Sequence, residues 1–396
     1  MPARKKIAAL VSIYRKWSHA QHIVDRFLEG YGWNGRHHRP EIDVVSLYVD
    51  QVGEDDLSRE RETRFPQLTV YPTIGDALTQ GGNELAVDGV LLIAEHGEYP
   101  SNDRGQVLWP RYEFFQQMAA VFRSCGRGVP VFNDKHLSWN WDWARKMYDT
   151  SRELDFPFMA GSSLPLTWRT PSIDMPLGAQ VEEAMCVCSS WIDGGDFHAY
   201  ETVQSMVERR AGGEVGVKWV KAYRGDEFWQ AHHERQWSQE LFKACMCRSH
   251  QLTPGRAGFN DLFPTIDVMR ERITEPWAYQ YEHLDGLICT VIAANGLVGD
   301  FNFAAKLADR DEPLSTNMYL AVPPTKSLAS FFTPQVNNIE RMFMTGRPSY
   351  PLERTLLTTG LTAAGLDSRT QDDQVVETPH LDIAYDAPAE STFWHT

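Results

Sequence analysis

Val129-Pro130-Val131-Phe132-Asn133-Asp134-Lys135-His136-Leu137-Ser138 brings an apolar, β-rich run to an abrupt polar end, and a helical pattern follows at once, from Trp139 to Leu154. Open α/β sheets place their ligand sites at the carboxyl ends of strands. A lysine there can polarise a substrate oxygen or pass a proton, which makes Lys135 the first catalytic candidate and His136 a substrate contact beside it. Three further stretches end or begin elements in the same way. Ser12-Ile13-Tyr14-Arg15-Lys16-Trp17-Ser18-His19 follows the first apolar run, where a dinucleotide-binding fold carries Gly-x-Gly-x-x-Gly, and it holds no glycine. Tyr14 and the side-chain charges of Arg15 and Lys16 stand where backbone amides would approach a diphosphate; a solvated basic turn is the other reading. Asp50 closes the second run and suits a ribose 2′-hydroxyl, favouring NAD over NADP. Glu95-His96-Gly97 closes the fourth run, and His96 suits acid–base work or the nicotinamide end of a cofactor. Asp193-Gly194-Gly195-Asp196-Phe197-His198-Ala199-Tyr200-Glu201 opens a helix on which His198 and Glu201 lie one turn apart. A histidine oriented by a carboxylate and opposed to a lysine is a workable pair for oxidising an alcohol carbon. Asp196 is read both as a helix cap and as a catalytic acid.

The elements that position these groups follow from periodicity. Residues 7–13, 42–49, 68–71, 87–94, 129–133 and 158–160 read as strands, the longer ones as apolar runs buried on both faces. Helical patterns alternate with them at 19–29, capped by Ser18, and at 56–65, 73–78, 112–124 and 139–154. This alternation predicts parallel βαβ units in a doubly wound Rossmann sheet, a dinucleotide-binding domain over residues 1–161. Beyond Gly161 the strands lengthen and alternate apolar with polar, at 179–192, 215–223, 277–282 and 287–294. His283-Leu284-Asp285-Gly286 is a hairpin turn, and a helix intervenes at 200–210. Residues 162–350 are therefore expected to form an α+β substrate and oligomerisation domain on a mostly antiparallel, open-faced sheet. Helices are expected from Ser327 to Thr345 and from Leu352 to Ala364, with residues 351–396 a C-terminal helix and extended tail packing back on the body.

The formal net charge is −15, which excludes a general phosphate-backbone binder; a small-molecule substrate is expected and nucleic acid is not. No apolar segment approaches the length of a membrane span. The opening run is broken by Arg15 and Lys16 with no cleavage site after it, so the expected location is the cytoplasm. Cys186/Cys188 and Cys245/Cys247 are spaced Cys-x-Cys; buried thiols are the main reading and a metal pair the alternative. Trp139, Trp141, Trp168 and Trp191 suit either an apolar platform for a sugar face or a core, and Arg169 either a substrate carboxylate or a surface charge.

From Lys6 to Leu357 this order of elements resembles the glucose–fructose oxidoreductase / inositol dehydrogenase (Gfo/Idh/MocA-like) family. That family carries Glu-Lys-Pro after the fifth strand; here Asp134 stands for Glu and His136 for Pro around Lys135. The resemblance implies that Lys135 touches both the reacting sugar hydroxyl and the nicotinamide ribose. It implies an NAD- or NADP-dependent oxidoreductase acting on a sugar, polyol or cyclitol, assembled as a homodimer or homotetramer through the open sheet face. The family's second signature is an Asp, a His four residues on and an acid three further. His198 and Glu201 match it, while Gly194 takes the place of the Asp, with Asp193 and Asp196 flanking. Tyr281-Glu282-His283-Leu284-Asp285-Gly286-Leu287 is similar to a hairpin that recurs in the family's sheet. The glycine-free turn keeps two alternatives open. One is a repurposed site in which Glu95, His96, His198 and Glu201 hold a divalent metal for hydrolysis, elimination or isomerisation. The other is a non-catalytic ligand-binding paralogue.

Overall fold

The computed structural model describes residues 4–250, 263–320 and 328–394. Two compact units form, one from residues 1–163 with 321–356, the other from 164–320 with 357–395. The expected boundaries 1–161, 162–350 and 351–396 do not describe this division. A late helix returns to the first unit, and most of the C-terminal helix and tail belongs to the second.

The first unit runs β1 (Lys5–Val11), α1 (His19–Glu29), β2 (Tyr31–Trp33), β3 (Arg36–His38), β4 (Ile42–Val49), α2 (Ser58–Arg64), β5 (Thr69–Val70), α3 (Ile74–Thr79), β6 (Gly89–Ile93), α4 (Arg111–Cys125), β7 (Val131–Asp134), α5 (Trp141–Glu153) and β8 (Phe158–Gly161). Its six-stranded sheet has the order β5-β4-β1-β6-β7-β8, and every pair is parallel. Ile7 to Val11 and Val90 to Ile93 are fully buried, as strands covered on both faces must be. β1 is flanked by β4 and β6, so the strand order reverses there, and the turns after β1, β6 and β7 share one edge. Between α1 and β4 the chain forms the β2–β3 hairpin. Glu340 accepts from Tyr31 (2.7 Å) and pairs with His38 (2.8 Å), tying the hairpin to α10 (Phe332–Thr345). α10 is shorter than the expected helix, whose start at Ser327 lies outside the described residues. Gly89 is required where α10 crosses β6, because a Cβ there would meet the Phe343 ring at 2.8 Å.

The second unit runs β9 (Arg169–Thr170), β10 (Val181–Cys188), α6 (Gly194–Val207), β11 (Val217–Arg224), α7 (Gly225–Glu234), α8 (Gln239–Arg248), α9 (Ile266–Arg272), β12 (Trp277–His283), β13 (Ile288–Ala293), β14 (Phe301–Leu307), β15 (Leu314–Met318), most of α11 (Leu352–Thr370) and β16 (Val376–Glu377). The eight strands are ordered β16-β11-β12-β13-β10-β14-β15-β9, with β10–β13 the parallel pair. The mostly antiparallel sheet is as expected, but neither face is open. α6 packs on one face through Tyr200, whose ring lies 5.7 Å from Tyr279 and 5.5 Å from Tyr281. On the other face Met185, Val187, Ala278 and Ile292 are buried under Phe228, Trp237, Leu241, Phe242, Met246 and Met269 of α7–α9 and their loops. The central strands of the sheet are covered on this face by the chain's own helices. Among the described residues no helix is long and apolar enough to cross a membrane.

Candidate functional site

The carboxyl edge of the first unit's sheet gathers charge. β7 ends in Asp134, and Lys135 follows with φ +69°, its N–H bonded to the Gly161 carbonyl (3.1 Å). Asn133 locks this sharp exit by donating to the carbonyls of Asp134 (3.3 Å) and His136 (3.1 Å). After β6, His96 also takes a left-handed backbone (φ +68°), and Ser12 Oγ lies 2.9 Å from the carbonyl oxygens of both Glu95 and His96. Two left-handed non-glycine residues on adjacent strand ends are strained, at a cost of order 1–3 kcal/mol each. The surrounding hydrogen bonds hold them there.

Lys135 Nζ lies 3.8 Å from Glu95 Oε1, and Arg111, the first residue of α4, ion-pairs with the other Glu95 oxygen. Arg111 Nη1 is 3.2 Å from His136 Nε2. His19, the first residue of α1, brings Nδ1 to 2.6 Å from Asp134 Oδ2. Its ring is edge-on to His96 (5.0 Å) and Phe332 (4.9 Å). Asp134 is fully buried, and its Oδ1 has no hydrogen-bond partner.

The charges sort themselves by burial. Desolvation opposes ionisation of Glu95, yet the positive fields of Lys135 and Arg111 outweigh it and hold the carboxyl down at about 2. Asp134 is pushed up to about 7, by burial first and by the Glu95 charge second. Burial, then Lys135, keeps His19 well below the usual imidazole range, and burial also lowers His96. At neutral pH one proton is therefore shared between a half-ionised carboxyl and a neutral imidazole, next to an ammonium group. That arrangement can accept a proton from a hydroxyl at Lys135 and store it on the Asp134–His19 pair.

The remaining sequence candidates are distributed as follows. Tyr14 is fully buried and donates to Asp25 (2.5 Å), and burial raises its pKa well above 10. Arg15 and Lys16 are exposed, with Lys16 Nζ 4.7 Å from the Trp17 ring centre. The turn after β1 is closed by Leu57 N–H on the Tyr14 carbonyl (2.8 Å), and the His19 N–H meets His96 Nδ1 at 3.5 Å. Asp50 is exposed, but accepts from Tyr48 (2.8 Å) and Tyr99 (2.7 Å). Glu95 is engaged by Arg111 and Lys135.

His198, Glu201, Asp196, Arg169 and Trp168 all fall in the second unit. His198 Nδ1 is 3.5 Å from Glu201 Oε2, the pair that their spacing predicts. Asp196 is not a helix cap and has no exposed edge. Buried at 1% exposure, it accepts from Ser190 (2.9 Å), Trp277 (3.0 Å) and Tyr279 (3.0 Å), and so ties α6 to β12. Arg169 is an internal strut rather than a substrate anchor, with Asp174 at 2.6 Å and the Phe393 ring centre at 4.1 Å. Trp168 packs against Trp394 (4.2 Å) and Tyr319 (5.4 Å), as part of a cluster rather than a platform. The four proposed metal ligands divide between the units, and among the described residues no three histidines, cysteines or carboxylates gather to hold a metal. The cysteines are free thiols; Cys186, Cys188 and Cys245 are buried and Cys247 is exposed.

Sequence reasoning missed His19 and Arg111. His19 follows Ser18, which reads as a helix cap, and Arg111 follows Pro110, one residue before the helix expected from 112.

No protein-family model matches the chain, and no curated protein matches it in sequence. Solved structures do match. GenD2 from gentamicin A biosynthesis, in complex with NAD, superposes with a TM-score of 0.56 at 13% identity over 95% of this chain and 97% of that one. The myo-inositol dehydrogenase of Lactobacillus casei, in complex with NAD(H) and myo-inositol, gives 0.53 at 11% identity over 94% and 96%. A probable dehydrogenase of Thermotoga maritima gives 0.56 at 9% identity over 95% and 99%. The chain has the two-part fold of these dehydrogenases, the fold that the resemblance in sequence order implied.

Proposed function

We propose that this chain is an oxidoreductase acting on a hydroxyl group of a sugar, polyol or cyclitol, with a nicotinamide dinucleotide as its redox partner. The observation that carries this reading is Lys135, buried and strained at the end of β7, beside a carboxyl–imidazole pair able to hold one proton. The dinucleotide-bound neighbours of the same fold support it. The residues present suit the cofactor in a modified way. Arg15 and Lys16 supply exposed positive charge where glycines would bring amides, and Asp50 supplies a carboxylate to a ribose once Tyr48 and Tyr99 yield it. Bound nicotinamide would accept the hydride from the substrate carbon. Lys135 orients the substrate hydroxyl by donating a hydrogen bond to its oxygen, Asp134 with His19 takes and holds the hydroxyl proton, and Glu95 with Arg111 fixes the lysine's charge environment.

Dinucleotide binding is tested by the melting shift of the pure protein with NAD and with NADP. A ligand at a hundred times its dissociation constant stabilises by about 2.7 kcal/mol. A shift with NAD and little with NADP is expected, and no shift with either overturns the reading. Lys135→Ala should then abolish turnover on a polyol and cyclitol panel while the protein still melts cooperatively; retained turnover removes Lys135 from the chemistry.

A further inference from the structure

α7, α8 and α9 do more than cover the second unit's sheet. They enclose a cleft of about 340 Å³ whose walls include Trp229, His232, Arg235, Lys243, Ile266 and Arg270. Elsewhere in this acidic chain four buried arginines are matched to carboxylates, Arg61 to Asp25, Arg111 to Glu95, Arg169 to Asp174 and Arg210 to Glu214. The cleft differs. Arg235 also lines the neighbouring groove, together with the carboxylates of Glu182, Glu183 and Glu240, yet among the described residues Arg235 and Lys243 make no ion pair or side-chain hydrogen bond. Arg270 lies over the Trp229 ring, 5.3 Å from its centre, with no carboxylate partner among the described residues.

Two further features are built in. Arg235 caps α7 in the left-handed region (φ +61°), a position where glycine is favoured. His232 is 9% exposed, and its Nδ1 accepts from Trp237 Nε1 (3.2 Å). Burial, followed by the fields of Arg270 and His233, lowers its pKa. The neutral ring therefore carries its hydrogen on Nε2, a donor without charge. Gln239 donates to the His232 carbonyl (3.0 Å), which fixes α8 against the end of α7.

We propose that this cleft binds a small organic phosphate. Three uncompensated cations on one small cavity call for a compact group with two negative charges, whereas a carboxylate is satisfied by a single arginine fork. The volume is that of a small-molecule site, and a chain of net charge −15 repels an extended polyanion outside it. Trp229 and Ile266, the latter 45% exposed, offer an apolar wall for the organic part.

The test is calorimetric titration of the full chain with phenyl phosphate and with inorganic phosphate at low ionic strength. Saturable one-site binding is expected, tighter for phenyl phosphate. It should weaken by more than about tenfold when Arg235→Gln, Lys243→Gln and Arg270→Gln are combined, since each removes a charge-assisted contact. These side chains are exposed and, among the described residues, without carboxylate partners, so the combined variant should melt as the parent does. Lys135→Ala should bind unchanged, because the strand-edge site is a separate cluster. No saturable binding of either probe, undiminished binding by the combined variant, or loss of binding in Lys135→Ala overturns the site. Inorganic phosphate binding as tightly as phenyl phosphate overturns the organic ligand.

Discussion

Each unit buries a histidine–carboxylate pair closer than 3 Å, and these two pairs are used in opposite ways. In the second unit His283 Nδ1 is 2.9 Å from Glu214, and in the first His19 Nδ1 is 2.6 Å from Asp134. Glu214 also accepts from Arg210 (3.0 Å), Gln204 (2.7 Å) and the backbone N–H groups of Val215 (3.0 Å) and Gly216 (2.8 Å). Its carboxyl is held far down, because the charges and donors of His283 and Arg210 together overcome the burial that would raise it. Asp134 has His19 on one oxygen and nothing on the other, and sits near neutral. Burial is nearly equal, so the number of donors decides the charge state. A fully satisfied carboxylate is a staple. An under-satisfied one is a proton store, and it is the one flanked by strained backbone and a buried lysine.

Breaking the staple should have the largest effect. Glu214→Ala leaves Arg210 and His283 buried with their main acceptor gone, a loss of about 3–5 kcal/mol. Melting and denaturant midpoints should fall sharply. If both stay put, Glu214 is no more structural than Asp134 and the contrast fails.

Asp134→Asn should do the reverse. The folded carboxyl titrates near 7, well above its ordinary value, so the native state keeps a proton that the unfolded chain has released. Its contribution to stability is complete at acid pH and is lost as pH rises through about 7. Asparagine removes that dependence and leaves the melting temperature at pH 8 equal or higher. Turnover should fall by roughly 10²–10⁴-fold, the usual worth of a positioned acid–base group, and the inflection of the rate near pH 7 should vanish. A large stability loss with an unchanged pH profile would make Asp134 a second staple.

How much of this was legible follows from what each feature depends on. The parallel sheet and the polar strand ends at Asp50, Glu95 and Lys135 are local patterns, and a continuous apolar run that stops in charge is readable without neighbours. The Asp134–His19 pair spans 115 residues and exists only because β1 and β7 exit on the same sheet edge. β14 and β15 went unread because their inward faces carry Asn302 and Asn317, which bond to each other (2.9 Å) and to Asp300 (2.7 and 3.0 Å). A satisfied buried amide network puts polar side chains where a sequence reading would place solvent. α7–α9 went unread because their exposed sides are dense in histidine, arginine and glutamate, and only the sheet beneath shows which residues face inward. Asp196 was read as catalytic from its place at a helix start, and only the tertiary structure supplies the tryptophan and tyrosine that claim it.

The smallest effect at neutral pH, and the sharpest test of the burial argument, lies at His22. Its imidazole packs against Phe332 (5.0 Å) and is pushed down to about 3, by burial first and then by His19. The unfolded chain binds that proton near the ordinary imidazole value of about 6.5. Between these values the unfolded state holds more protons, so stability rises with pH across the window and is lost as pH falls. His19 and His96 act in the same direction, and Asp134 acts in the opposite one. His22→Leu keeps the apolar contact and removes one titrating group. It should leave the melting temperature at pH 7.5 nearly unchanged and flatten its decline below pH 6, by up to about 1.4 kcal/mol per pH unit. An acid limb identical to the parent's would mean that His22 is hydrated rather than buried, and that the neutral state assigned to its neighbour His19 needs another cause.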